Sequence, residues 1–171
     1  GIAVINADDN FADLWRSGTT NLRQISFGLD QGADITAHTI VVSAGTGGTD
    51  FVLHTPDGEI EVSLKLPGLH NVMNALSAAA CITGLNIPLA VLRDGLQSIK
   101  PVKGRLERKA GFNHSTVIDD TYNANPVSLA AALNVIRSCA GRHWLALGDM
   151  GELGAAAEEL HAEAGRAAKQ S

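Results

Sequence analysis

The chain has 171 residues, 45% of them hydrophobic, and carries a formal charge of −5 from 18 acidic and 13 basic side chains. That length suits one domain or one and a half, and a chain of this size buries about 70% of the surface its unfolded form exposes. Its charges are scattered rather than blocked, which excludes a nucleic-acid surface and leaves only weak steering of polyanions.

No apolar run approaches the roughly 18 residues of a membrane span, and no charged-then-apolar leader opens the chain. Cys81 and Cys139 fall in apolar helical stretches. They read as small buried hydrophobes rather than a disulfide pair, as in a reducing compartment. The expected location is cytoplasmic.

In chain order, Ile2-Ala3-Val4-Ile5 reads as a strand, followed by Asn6-Ala7-Asp8-Asp9 and a short helical stretch over 12–16. Between 24 and 66 the pattern becomes one of short strands, at 24–27, 35–43, 51–55 and 59–66, parted by turn residues. Pro56-Asp57-Gly58 has tight-turn chemistry. Ile60, Val62, Leu64 and Leu66 alternate with Glu61, Ser63 and Lys65, as in a strand with one wet face. From 71 the period turns helical. The stretch 71–83 is Ala-rich and closes at Gly84, which reads as its C-cap. A second helix starts at Pro88, with Leu89, Leu92, Leu96 and Ile99 on one face.

Lys100-Pro101-Val102-Lys103-Gly104-Arg105 breaks that pattern and reads as a linker. Beyond it a strand at 116–119, a helix marked by Leu129, Leu133, Ile136 and Ala140, a strand at 144–147 and a last helix after Gly154 form a βαβα unit. Such alternation implies a parallel sheet with right-handed crossovers, and two parallel strands are too few to stand alone. The chain opens without Met and closes in a helix whose stripe of Ala156, Leu160, Ala164 and Ala167 has nothing after it to cover. Both ends read as the interior of a longer protein.

Four segments carry chemistry. In Pro67-Gly68-Leu69-His70-Asn71-Val72-Met73-Asn74, the spacing puts His70, Asn71 and Asn74 on one face at a helix start. A side-chain amide pairs bidentately with adenine N6 and N7. Helix capping by Asn71 is the plainer explanation, but it leaves Asn74 unexplained. In Gly104-Arg105, an Arg beside a Gly at a junction reaches a phosphate with its planar fork, or is an ordinary solvated Arg. In Asp119-Asp120-Thr121-Tyr122-Asn123-Ala124-Asn125-Pro126, Asp120 falls at the carboxyl end of a strand, where open α/β sheets place their ligand crevice. Asn125 and Pro126 suit a helix start, and a carboxylate there accepts from ribose hydroxyls. In Leu147-Gly148-Asp149-Met150-Gly151-Glu152-Leu153-Gly154, Asp149 stands at the equivalent end of the next strand.

Other features point nowhere. Gly45-Thr46-Gly47-Gly48-Thr49 lacks the Lys-Ser/Thr close of a phosphate loop and lies between strands, so it reads as a hairpin turn. No Cys/His spacing suggests zinc and no Gly-x-Ser-x-Gly elbow is present. His38, His54, His114, His143 and His161 are dispersed and read as structural or exposed. No G-x-G-x-x-G follows a strand, which removes a dinucleotide oxidoreductase.

Taken together and in this order, the segments resemble the Mur ligases, ATP-dependent amide ligases of bacterial peptidoglycan synthesis. Gly68-x-His70-Asn71-x-x-Asn74 is similar to the family's adenine-binding pattern, and Gly104-Arg105-Leu106-Glu107 to its junction with the third domain. The segments from Asp119 and from Leu147 look like the branch that adds D-Ala-D-Ala. The sister branch that adds the third peptide residue typically carries Asp-Tyr-Ala-His-Thr-Pro instead.

The resemblance implies an α/β fold, with 1–103 as the C-terminal part of a central ATP-binding domain built of short strands plus helices. Residues 104–171 would then be the incomplete start of a Rossmann-like C-terminal domain. It implies ATP and Mg²⁺ as cofactors, with UDP-MurNAc-tripeptide and D-Ala-D-Ala as substrates joined through an acyl phosphate. By motif match Asn71 and Asn74 hold adenine, His70 supports that turn, Asp120 holds ribose and Arg105 contacts phosphates across a hinge. Tyr122, Asn125 and Asp149 line the cleft. The sequence departs from the family in having no Gly-Lys-Thr/Ser loop, metal-binding acid or modified lysine, and Lys103 stands where relatives often have Pro. The 171 residues alone are therefore expected to be inactive, since phosphate positioning and charge neutralisation dominate such chemistry. The alternatives are another Mur-type ligase adding an amino acid or glutamate, and a non-catalytic nucleotide-binding module.

Overall fold

The computed structural model describes every residue except Gln31, 44–46, Asn86 and Ser171. The chain forms two compact units, the first of Gly1–Ser43 with Gly48–Ile99 and the second chiefly of Lys100–Ser171.

In the first unit β1 (Ile2–Asn6) pairs in parallel with β2 (Arg23–Phe27). Parallel neighbours need a crossover, and α1 (Ala12–Gly18) lies within it. Three further strands, β3 (Thr36–Ser43), β4 (Gly48–Thr55) and β5 (Gly58–Leu64), make an antiparallel meander. The turn between β4 and β5 is Pro56-Asp57, closed by pairing of Thr55 with Gly58, whose φ of 130° favours glycine. The β3–β4 register shifts between His38 and Val41, where Thr39 has a φ of 53°. Of the Gly-rich run expected to turn this hairpin, Gly45 and Thr46 lie outside the described residues.

Two helices, α2 (Leu69–Gly84) and α3 (Leu89–Ser98), complete the core. Phe51, Leu53, Val62 and Leu64 pack with Val72, Leu76, Ala79 and Ala80 of α2 and with Leu92 and Leu96 of α3. Leu53 and Leu76 are wholly buried, which stabilises the fold by about 1.5–3 kcal/mol each. Gly84 is the last residue of α2 and not its C-cap, a position held by Leu85. Its smallness serves packing: a Cβ there would meet Ile2 and Ile25 at 3.1 and 3.3 Å.

In the second unit β6 (Glu107–Ala110) and β7 (Thr116–Asp119) form an antiparallel hairpin around the 3₁₀ turn Phe112–His114. Two helices follow, α4 (Pro126–Arg137) and α5 (Ala157–Lys169). Leu129 and Leu133 of α4 pack on Met150 and on Ala164 of α5, while Ala132 and Val135 meet Leu106. Of the terminal stripe expected to have nothing to cover, Ala164 and Ala167 pack into this cluster, whereas Ala156 is exposed.

Two expectations for this unit are corrected. β7 pairs with β6 in antiparallel fashion, and no parallel pair occurs among its described residues. Residues 144–147 form no strand, and Trp144 is 81% exposed. An apolar run becomes a strand only where a neighbour takes its backbone hydrogen bonds, and no described segment does so here.

The cysteines are free as expected, but Cys81 is exposed and Cys139 half-buried. Cys81 shares the solvent stripe of α2 with Asn74 and Ala78, because the opposite stripe holds Val72, Leu76 and Ala79. No helix among the described residues is long and apolar enough to cross a membrane.

Candidate functional site

The first group of predicted residues stands at the start of α2, and an interior strand residue fixes that start. Thr49 on β4 is wholly buried. Its hydroxyl donates to the Leu66 carbonyl at 2.9 Å and accepts from the Gly68 amide at 3.1 Å. Both bonds clamp the turn before the helix. Gly68 fills the N-cap position with φ 94° and ψ 156°, a conformation essentially confined to glycine. Asn71 therefore does not cap α2. It lies within the first turn, where its Nδ2 donates to the Pro67 carbonyl at 2.8 Å and lies 3.0 Å from His70 Nε2. That second contact casts the imidazole nitrogen as acceptor, so His70 and Asn71 brace one another, both half-buried. Asn74 is exposed and its side chain makes no hydrogen bond among the described residues. Its amide donors and acceptor are open to a ligand.

The second group stands in the second unit, where the β6–β7 ladder continues past its formal end. Glu107 pairs with Asp119, so Leu106 comes opposite Asp120 and Gly104 opposite Tyr122. The Leu106 amide donates to Asp120 Oδ1 at 3.0 Å, and the Tyr122 amide donates to the Gly104 carbonyl at 3.0 Å. Arg105 lies between two left-handed residues, Gly104 with φ 71° and Leu106 with φ 49°. A Cβ on Gly104 would sit 3.2 Å from the Tyr122 amide nitrogen. The Arg105 guanidinium carbon lies 4.2 Å from the Tyr122 ring centroid, within range of a cation–π contact. Three predicted residues, Arg105, Asp120 and Tyr122, are thus brought together.

The tandem acids divide their work. Asp119 bonds the Lys109 ammonium and the Thr121 hydroxyl and amide. The ammonium first, and Thr121 second, hold its carboxyl down at about 2. Asp119 is a structural anion, while Asp120 keeps Oδ2 without a partner among the described residues.

Asn125 caps α4. Its Oδ1 accepts from the Ser128 amide at 2.8 Å while Ser128 Oγ accepts from the Asn125 amide at 3.0 Å, with Pro126 opening the helix. Asp149 is exposed, next to the buried Met150. The Met150 amide donates to His161 Nε2 at 2.9 Å, and His161 Nδ1 donates to the Ala157 carbonyl at 2.7 Å. His161 of α5 thereby ties down the loop that carries Asp149. Among the described residues no cluster of three or more His, Cys, Asp or Glu could hold a metal ion.

Two positioning residues escaped the sequence reading. Thr49 was hidden in a Gly-rich run dismissed as a decoy, and His161 is one of a dispersed set whose eleven-residue separation from Met150 matches no local motif. Only the fold reveals either contact.

Residues 1–82 match the family model described as the Mur ligase middle domain, and residues 104–171 match that of the Mur ligase, glutamate ligase domain. The chain belongs to the Mur ligase family. Within that family it is similar to UDP-N-acetylmuramoyl-tripeptide–D-alanyl-D-alanine ligase of Escherichia coli, with 40% identity over 170 residues, 99% of this chain and 37% of that protein. Its structure is similar to a crystal structure of MurF from Acinetobacter baumannii, with 34% identity and a TM-score of 0.92, covering 100% of this chain and 37% of the other. A MurF ligase from Thermotoga maritima in complex with ADP shares the fold, with 24% identity and a TM-score of 0.78 over 98% of this chain and 38% of that one. The chain spans somewhat over a third of the length of these relatives.

Proposed function

We propose that this chain forms the adenosine- and phosphate-binding part of an ATP-dependent ligase that joins D-Ala-D-Ala to UDP-MurNAc-tripeptide. Residues 1–103 would belong to the central ATP-binding domain and 104–171 to the C-terminal domain. The carrying observation is the Asn74 amide, unpartnered among the described residues, one turn beyond the braced His70–Asn71 pair, on the segment whose pattern matches the family's adenine site.

In this reading Asn74 recognises the adenine edge, since a side-chain amide offers the donor and acceptor that N7 and the exocyclic amine require. Asn71, whose Nδ2 hydrogens go to Pro67 and His70, adds only its Oδ1 as an acceptor for the exocyclic amine. His70 fixes the Asn71 orientation. Asp120 accepts from a ribose hydroxyl with the oxygen that Leu106 does not use. Arg105 meets phosphate oxygens with its planar fork. Asp149 faces the incoming dipeptide, together with Tyr122 and the Nδ2 of Asn125, which has no partner among the described residues.

ATP, with Mg²⁺, would supply the phosphoryl group that turns the peptide carboxylate into an acyl phosphate, releasing ADP. The dipeptide amine would then attack the acyl carbon, lose a proton and expel inorganic phosphate to leave the amide. No set of three or more His, Cys, Asp or Glu among the described residues fits the metal, and in this reading its ligands would come from elsewhere in the enzyme. The same holds for the Gly-Lys-Thr/Ser loop, and the 171 residues by themselves are expected to give no turnover.

The test uses the full-length ligase that carries this chain. ADP release should depend on D-Ala-D-Ala and not on glutamate as the amine. Asn74→Ala should weaken ATP binding by about 1–3 kcal/mol, the discrimination of one good bidentate pair, with the fold intact because the side chain is exposed. Unchanged nucleotide affinity would remove Asn74 from the site.

A further inference from the structure

We propose that Tyr122 is a positioning residue for Arg105: its ring face holds the guanidinium in one plane, ready for phosphate, without touching ATP itself. The proposal rests on the reading above, in which Arg105 meets the phosphates of ATP.

Three observations carry it. The first is the backbone on either side of Arg105. The Gly104 carbonyl is held by the Tyr122 amide and the Leu106 amide by the Asp120 carboxylate, each at 3.0 Å. The Gly104 amide adds a third tie to Glu107 Oε2 at 3.2 Å. Leu106 keeps its left-handed φ of 49° inside this bracket, a conformation that a residue with a Cβ adopts only when its surroundings impose it. The Cα–Cβ direction of Arg105 is therefore set, and what freedom remains belongs to its long side chain.

The second is how that freedom is limited. The guanidinium carbon lies 4.2 Å from the Tyr122 centroid, and Arg105 enters no ion pair with any described residue. A carboxylate in the ring's place would fix the fork equally well, but it would neutralise the charge and occupy the N–H donors that a phosphate needs. A ring face orients the plane and leaves the edge donors and the full charge available.

The third is that the Tyr122 hydroxyl has no hydrogen-bond partner among the described residues, while the residue is 65% exposed. The ring carries the contact, and the hydroxyl is dispensable.

The experiment measures steady-state kinetics of the full-length ligase with ATP as the varied substrate. The variants are Tyr122→Leu, Tyr122→Phe, Arg105→Ala and the Arg105→Ala/Tyr122→Leu double. Tyr122→Leu should lower kcat/KM for ATP by roughly 3- to 30-fold, the range spanned by exposed and desolvated cation–π contacts. Tyr122→Phe should restore most of that loss. Arg105→Ala should lower it further, and the double variant should match Arg105→Ala alone, because residues acting through one another are not additive. The proposal is overturned if Tyr122→Phe is as impaired as Tyr122→Leu, if the leucine effect persists at full size without Arg105, or if Tyr122→Leu equals wild type while Arg105→Ala does not. A wild-type kcat/KM for Arg105→Ala overturns the phosphate reading itself, an outcome distinct from the other three.

Discussion

Thr49→Val tests whether the start of α2 is set from beneath by one hydroxyl. Valine keeps the shape of threonine and replaces the hydroxyl with a methyl. The Gly68 amide and the Leu66 carbonyl then both lose their partner, at a site where Thr49 is wholly buried and Gly68 is buried as well. Each orphaned group costs about 1–3 kcal/mol, and the buried methyl returns about 0.8 kcal/mol, so the net destabilisation centres near 3 kcal/mol. The two units need not unfold together, so the first unit calls for a probe of its own. The sequence offers a remedy, because one tryptophan, Trp15, lies in the first unit and the other, Trp144, in the second. In a Trp144→Phe background, urea unfolding followed by Trp15 fluorescence reports the first unit. Thr49→Ser keeps the hydroxyl and should lose about 1 kcal/mol at most, the worth of one methyl. The reasoning fails if Thr49→Val stays within about 0.5 kcal/mol of the parent, the size of an inconsequential surface change, or if serine costs as much as valine.

The pH dependence of the β6–β7 base has a definite sign. Asp119 is depressed from 3.8 to about 2, chiefly by the Lys109 ammonium, so what its charge contributes is fully present above about 3.8 and disappears as pH falls to about 2. Lys109→Met should move the carboxyl midpoint upward in a ¹³C-detected titration, and a midpoint still near 2 would give the whole depression to Thr121. For the Asp149 loop, His161→Phe keeps a ring but removes the acceptor of the Met150 amide. Loss of that bond, worth about 1 kcal/mol or more, should speed Met150 amide exchange by roughly tenfold while β6 and β7 stay protected. An unaltered exchange rate would show that the loop is held by Met150 packing alone.

What was legible in the sequence is what periodicity reports. The meander of β3, β4 and β5 follows from alternation and from Pro56-Asp57-Gly58, α2 from its Ala-rich helical period, and α3 and α5 from stripes of which the structure buries Leu92, Leu96 and Ala164. β6 was not legible, because Glu107-Arg108-Lys109-Ala110 shows no apolar alternation and owes its strand to pairing with β7. The converse error at 144–147 has the same root. An apolar run displays a preference for burial, whereas strand pairing depends on a neighbour that no local pattern reveals. In the candidate site, His70, Asn71 and Asn74 were visible as a spacing. The Arg105–Tyr122 contact was not, since seventeen residues separate the two and only the hairpin's register brings them opposite.

That hairpin also shapes how the protein can diversify. Its tip, with Phe112 85% exposed, is far along the chain from the base where Gly104 and Leu106 meet Tyr122 and Asp120. Residues gained or lost at the tip would leave those pairings intact, whereas a slip of one residue between the strands would turn Arg105 to the opposite face of the ribbon. The length of the tip is thus open to drift, and the parity of the pairing is not.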